Sequence, residues 1–427
     1  MNKPTEHISS SEGLLNKAKE LSWKTNIPLI RQINSIAHPT SIKLWLWELP
    51  YEADPKILEI LRNPKPEHLR YAPNAWVIEV RKAVAANYSR WANEDNVIIT
   101  IWVQEAMFTT LFWLKKLWAK KVLIPEINFW IYKSIPEELW IEVETFKLNN
   151  DFGIDLWDLT KKLNASRIDA VLFNNPWNPT WRSYNPMEVA QIADALKNNW
   201  KPIAISDEIY HKLTFDKNNF INFNQFYLNT IVVDWISKSW AAAWLRVWWI
   251  YSENKDLIKV FGWVSTKIKS SAPTNNQWAA LPVINWETQG TIEWYRKKLK
   301  ENFDILKKVL TKNSIKMNES HWWFYNFLNV SEFVWEDSED FCRFAAKSEN
   351  WVVVIPWKAF WKPDHIRISF ASDRIEEWAQ RVVDFLKLWA KWREFEKIRD
   401  LPPRTAQRVL DAISIDSSLP FQDKEHM

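Results

Sequence analysis

Along the central half of the chain the hydrophobic pattern switches repeatedly between two periods. Short runs rich in β-branched residues read as strands: NVIIT at 96–100, KVLIP at 121–125, IEVETF at 141–146, DAVLF at 169–173, PIAIS at 202–206 and NTIVV at 229–233. Longer segments with apolar residues three and four apart read as amphipathic helices: VIEVRKAVAANYSR at 77–90, EAMFTTLFWLKKL at 105–117 and NPMEVAQIADALKNN at 185–199. Strands alternating with such helices predict a largely parallel α/β sheet. Ahead of this region lie a helix candidate around 12–22 and a short strand at Ile42–Leu46. Behind it, a helical run at 291–313 leads into a smaller α+β region. That region holds the strands FYNFLNV, WVVVIP and HIRISF and helices at 338–350 and 374–392, and residues from 394 read as a tail.

Composition narrows the class. The 427 residues carry 56 Lys+Arg against 52 Asp+Glu, too even a balance for binding nucleic acid or an anionic membrane by charge alone. Cys342 is the single cysteine, which excludes an intramolecular disulfide and a cysteine-clustered metal site. The seven histidines show no metal-ligand spacing. No stretch approaches the roughly 20 apolar residues of a membrane span, and the first residues are polar. A soluble, cytoplasmic protein is expected.

One pair of counts is abnormal: 32 Trp and 4 Gly. Ordinary usage is about 7% glycine, or roughly 30 residues in a chain of this length. Trp177, Trp181 and Trp357 stand in polar or Pro-flanked turns where a residue tolerating positive φ is expected. KNNWKP, KLWAKK and EELWIE place Trp200, Trp118 and Trp140 where a left-handed helix cap is expected. Gly153, in NDFGIDL, has an apolar context instead. Glycine and tryptophan therefore read as interchanged along the chain. Tryptophan in such turns predicts strain, a crowded loop around Trp177 and Trp181, a filled pocket at Trp102, and crowding by Trp240 and Trp244.

The candidate chemistry clusters behind three strands. Asn178 follows DAVLF, Asp207 and Tyr210 follow PIAIS, and Ser237-Lys238 follows NTIVV, with Arg246 eight residues beyond Lys238. Each group falls at the carboxyl edge of the predicted sheet, where open α/β folds bind ligands. Singly, each residue has a plainer reading. Lys238 could be a solvated loop lysine, Asp207 a helix cap, Phe129 a core aromatic and Arg367 half of a surface ion pair. The order and spacing of the whole set outweigh those readings for Asn178, Asp207, Lys238 and Arg246.

Read with glycine at the tryptophans, Asn175–Trp181 becomes N-P-G-N-P-T-G, and SKSWAAAWLRVWW becomes a lysine segment ending in G-L-R-V-G-G. Together with LWLWELP, YAPNAW, TIWVQEA, HWWFYNF, VVVIPWKAFW and HIRISFA in this order, the chain from about residue 25 to 390 resembles the class I/II aminotransferases. These are fold-type I enzymes dependent on pyridoxal 5'-phosphate (PLP). The resemblance implies a large domain with a mainly parallel seven-stranded sheet between helices, plus a smaller α+β domain. The implied division is 1–45 as arm and part of the small domain, 46–300 as the PLP domain, 301–393 as the small domain and 394–427 as the tail.

The resemblance also assigns roles. Lys238 forms the imine with PLP and carries out catalysis by moving a proton. Asp207 keeps the ring nitrogen protonated, and Asn178 and Tyr210 donate to the ring oxygen. Ser237, Arg246 and the helix start at Trp102, Val103 and Gln104 hold the phosphate, with Tyr71 reaching in from a partner subunit. Phe129 stacks on the ring. Arg367 grips the substrate carboxylate, aided by Asn178 and the backbone of Trp47. The implied reaction is ping-pong exchange between an L-amino acid and a 2-oxo acid in a homodimer with shared sites. Gln104 mildly disfavours an acidic substrate, since some relatives that take one have a lysine there. The alternatives are a PLP lyase of the same fold, of carbon–sulfur β-lyase or aminocyclopropane-carboxylate synthase type, and a catalytically dead module carrying these tryptophans.

Overall fold

The structure is a computed structural model that describes residues 14–19, 29–43, 49–72, 76–178, 180, 182–213, 220–236, 239–268, 272–315, 317, 325–334, 338–347, 352–356 and 365–399. Among the described residues twelve strands run in chain order: β1 (Ile42–Lys43), β2 (Val97–Thr100), β3 (Lys121–Pro125), β4 (Glu142–Phe146), β5 (Ala170–Asn174) and β6 (Ile203–Asp207), then β7 (Thr230–Trp235), β8 (Trp248–Ser252), β9 (Tyr325–Asn329), β10 (Val352–Val353), β11 (Ile355–Pro356) and β12 (His365–Ser369).

Seven of these form one sheet in the order β2-β8-β7-β6-β5-β3-β4. The five strands β4, β3, β5, β6 and β7 are parallel, and β8 and β2 close one edge antiparallel. Every residue of β2, β5, β7 and β8 is buried, which is why those runs read as continuous apolar stretches: helices cover both faces of the sheet. The seventh strand, β8, carries Trp248 and Trp249, and reading these two as glycines concealed it. A two-stranded pair, β1 with β10, and an antiparallel three-stranded sheet, β11-β12-β9, lie outside the main sheet. The apolar run at 351–356 is thus divided between two sheets instead of forming one strand. The last helix, Ile375–Arg399, packs on helix Gln289–Lys312 and continues past residue 394, where the sequence pattern starts the tail.

Helix starts follow local chemistry. Asn185 and Glu188 form a reciprocal capping box ahead of helix Pro186–Lys197, at 3.0 and 2.9 Å. Asp155 caps helix Leu156–Ala165 through Asp158 N at 3.0 Å.

Helix ends carry the tryptophan anomaly. Of ten non-glycine residues with positive φ, five are Trp76, Trp118, Trp140, Trp200 and Trp286. The three caps expected at Trp118, Trp140 and Trp200 are all left-handed, with φ of 69°, 58° and 44°. At Trp118, Trp140 and Trp286 the next residue's N–H closes back onto the helix: Ala119 to Leu114 O, Ile141 to Pro136 O and Glu287 to Pro282 O. That is the Schellman geometry in which glycine normally sits.

Trp177 departs from expectation. It has no positive φ and is fully buried, with its indole N–H donating to Ile127 O at 3.1 Å. It packs edge-on against Tyr184. Among the described glycines none has positive φ. A Cβ at Gly153 would lie 3.2 Å from Arg182 Nη2 and Asp151 Oδ1, the ends of two side chains that would have to shift to admit a larger residue. Trp181 and Trp357 lie outside the described residues.

Candidate active site

Because β5, β6 and β7 are parallel, their carboxyl ends meet at one edge of the sheet, and the candidate residues follow directly. Asn174, the last residue of β5, ties two of them together. Its side-chain NH2 donates to the Asp207 carbonyl, and its oxygen accepts from Asn178 N, both at 2.6 Å. Asn175 N also donates to the Asp207 carbonyl, at 2.9 Å. The Asn175–Pro176 bond is cis. The Asn175 side chain pins the returning chain through Tyr184 N at 3.0 Å.

Asn178 stands at the centre of the polar set. Its Nδ2 donates to the Tyr210 hydroxyl at 3.1 Å, leaving the tyrosine proton to be donated elsewhere. Its Oδ1 accepts from Arg367 Nη1 at 3.4 Å. Arg367 lies in the middle of β12, 0% exposed, with its guanidinium 4.5 Å above the Tyr325 ring. Burial lowers the pKa of Arg367, and Tyr325 and Tyr210 act in the opposite direction. It is therefore not the half-exposed partner of a surface ion pair.

Asp207 ends β6 at 1% exposure. Its Oδ2 accepts from the Tyr132 hydroxyl at 2.5 Å and its Oδ1 from Ile209 N at 3.3 Å. Burial pushes its carboxyl up to about 7, against the lowering effect of those two hydrogen bonds. Next to it, Glu208 is also pushed up to about 7 by burial, while accepting from Phe223 N and Ser206 Oγ. Asp234, near the end of β7, accepts from the Tyr88 hydroxyl at 2.8 Å, and burial raises it too.

The expected phosphate end lies at helix Val103–Lys116. Trp102 is its N-cap in extended conformation, and no side chain caps it, so the first-turn N–H groups of Val103 and Gln104 face outward from an anion-favouring terminus. The Arg246 guanidinium stacks 4.2 Å over the Trp102 ring. Trp248 lies 5.0 Å from Trp102, and Trp235 4.1 Å from Trp248. Three indoles thus cluster beside the start of the helix, with Arg246 over one of them. Arg246 itself is left-handed, at φ 56°.

Phe129 meets Tyr132 edge-on at 6.0 Å, which puts it next to the Asp207 contact. Tyr71 is 92% exposed. Trp240 is buried against Trp286, and Trp244 is exposed. Ser237, Lys238 and Trp47 lie outside the described residues.

Two residues of this neighbourhood escaped the sequence reading. Tyr132 lies in the first turn of helix Ile131–Glu138, and nothing in the sequence ties it to Asp207. Tyr325 was seen only as a strand residue.

The donor set fits PLP. Asp207 is a buried carboxyl raised by desolvation, and among the described residues no Lys, Arg or His forms an ion pair with it; a protonated ring nitrogen would supply a cation there. Tyr210, Asn178 and an uncapped helix terminus beside an arginine supply the remaining donors. A doubly covered, mainly parallel seven-stranded sheet with this constellation at its carboxyl edge defines a PLP-dependent enzyme of fold type I.

Comparison with known proteins carries this to the family. Residues 51–384 match the family described as Aminotransferase class I and II, and the chain belongs to it. It is 27% identical over 357 residues to a probable aspartate aminotransferase of Methanocaldococcus jannaschii, covering 80% of this chain and 92% of that one. It is 26% identical over 337 residues to the cystine lyase CORI3 of Arabidopsis thaliana, covering 74% and 79%. A solved aspartate aminotransferase of Thermus thermophilus, a double mutant, superposes with a TM-score of 0.73 at 19% identity, over 90% of this chain and 100% of that one. The protein is a PLP-dependent aminotransferase.

Proposed function

We propose that the enzyme exchanges an amino group between an L-amino acid and a 2-oxo acid at the site built from Asn178, Asp207, Tyr210, Ser237, Lys238, Arg246 and Arg367. The observation that carries this reading is the Asn178 junction, which joins the Tyr210 hydroxyl to the Arg367 guanidinium. PLP, when bound, supplies an electron sink for the carbanion formed at the substrate Cα. The protein does the rest. Arg367 orients the substrate carboxylate with its planar fork, Asn178 holds that fork in place, and Tyr210 donates its proton toward the ring oxygen. Asp207 holds the proton on the ring nitrogen. Lys238, four residues past the buried Asp234, moves the proton at the substrate carbon.

Tyr71, almost fully exposed in a single chain, fits a residue that completes the site of a second copy; a homodimer is part of this reading. The single buried Cys342 suits a reducing cytoplasm. The division at residues 46 and 301 is carried over as part of the same proposal, with the small domain extended to the end of the last helix at Arg399. A second reading, a PLP lyase, has support in the cystine lyase relative. The two are separated by mixing the PLP-loaded protein with single amino acids and no oxo acid. An aminotransferase converts its cofactor once to the pyridoxamine form and stops until a 2-oxo acid is added. Continuous release of pyruvate or thiol without an oxo acid would instead identify a lyase.

A further inference from the structure

Asp207 is held by its backbone and its side chain through different partners. Asn174 and Asn175 fix its carbonyl, whereas the carboxylate is oriented by Ile209 N and, at the shorter distance, by the Tyr132 hydroxyl. Tyr132 comes from the first turn of helix Ile131–Glu138, which leaves the sheet after β3, two strands away from β6. It is 2% exposed and makes this one side-chain bond across 75 positions of sequence. Among the described residues the titratable groups facing Asp207 are Tyr132, Tyr210 and Glu208. Burial and the nearby Asp207 charge push the Tyr132 phenol well above its usual range, so it keeps its proton and acts only as a donor.

We propose that Tyr132 is the positioning residue for Asp207, holding one carboxylate oxygen so that the other faces the cofactor ring nitrogen as an anion. This rests on Asp207 serving that nitrogen. Burial alone favours the neutral acid, which cannot hold a proton on the ring, and Glu208 pushes in the same direction. The Tyr132 hydroxyl acts against both by stabilising the charged form. No substrate contact is assigned to it.

The test loads the protein with PLP labelled with 15N at the ring nitrogen and reads that nitrogen's chemical shift, together with kcat and KM. In Asp207→Asn the shift moves to the unprotonated value. In Tyr132→Phe it moves part of the way there, and kcat falls roughly 10- to 100-fold, the scale of one hydrogen bond to a charged group, with KM for the amino donor little changed. A wild-type shift and kcat in Tyr132→Phe, with Asp207→Asn altered, overturns the role of Tyr132. A wild-type shift in Asp207→Asn overturns the assignment of Asp207 itself. Should Tyr132→Phe fail to fold, 2,3-difluorotyrosine at position 132, a stronger donor, moves the shift further toward the protonated value. No movement there also overturns the proposal.

Discussion

Arg367 on β12 and Asn178 behind β5 are 189 positions apart in sequence, yet Arg367 Nη1 donates to Asn178 Oδ1 at 3.4 Å. The contact joins the small three-stranded sheet to the carboxyl edge of the large one. It sets a fully buried guanidinium beside Asn178, as the proposed grip on a substrate carboxylate requires.

Replacing Arg367 with lysine keeps the charge and removes the fork. We expect kcat/KM for both the amino donor and the 2-oxo acid to fall by roughly 10- to 100-fold, because two directed bonds to a carboxylate are lost. PLP affinity should stay within a few-fold. Steady-state kinetics with both substrates checks this, and an unchanged KM for both would place the carboxylate elsewhere.

Borohydride reduction of the PLP-loaded protein followed by peptide mapping should put the pyridoxyl group on Lys238. Lys201 and Lys269 are the controls, and a label on either removes Lys238 from its role.

Tyr71 should act in trans. Mixed dimers of Tyr71→Phe chains with Lys238→Ala chains are expected to regain one native site per dimer, whereas each parent dimer has none. A monomer that is active at every concentration contradicts the shared site.

Trp118, Trp140 and Trp286 occupy left-handed caps, where an L-residue costs about 1–2 kcal/mol relative to glycine. Each Trp→Gly change there should stabilise the protein by about 1 kcal/mol, read as a higher urea midpoint. Trp113, inside helix Val103–Lys116, is the control. Glycine at that position should destabilise by about 1 kcal/mol, because helix interiors disfavour it. Glycine at Trp102 is expected to free Arg246 from its stack and raise PLP affinity, which a titration of the apoprotein measures.

Burial raises Asp207 from 3.8, and Glu208 from 4.5, to about 7. Both groups bind protons more tightly folded than unfolded. Their contribution to stability is therefore complete below the unfolded pKa and is lost as pH rises from about 4 to about 7. Apoprotein urea midpoints should fall over that window. Asp207→Asn should flatten part of the fall, and PLP should offset it by giving Asp207 a cation. A midpoint that rises across the window would show that these carboxyls are charged in the folded apoprotein.

The sequence by itself determined the alternation of strands and helices, the order of the parallel strands' motifs and the positions of Asn178, Asp207 and Arg246. Those depend on local period and on residues adjacent to strand ends. Three helix caps were legible for the same reason: a left-handed cap is a local backbone demand, visible even with tryptophan in glycine's place. β8 was not legible with Trp248 and Trp249 read as glycines, which weaken a strand pattern, although the printed run WWIYS is made of strand-favouring aromatics and isoleucine. Nor could local reasoning show that Trp177 would find a buried acceptor in Ile127 with no positive φ of its own. Only the tertiary structure brought Tyr132 to Asp207, across 75 positions, and showed the Arg367–Asn178 contact, across 189, that the family resemblance implied. A hydrogen bond between distant segments depends on strand order and helix placement, and no period in the sequence encodes either.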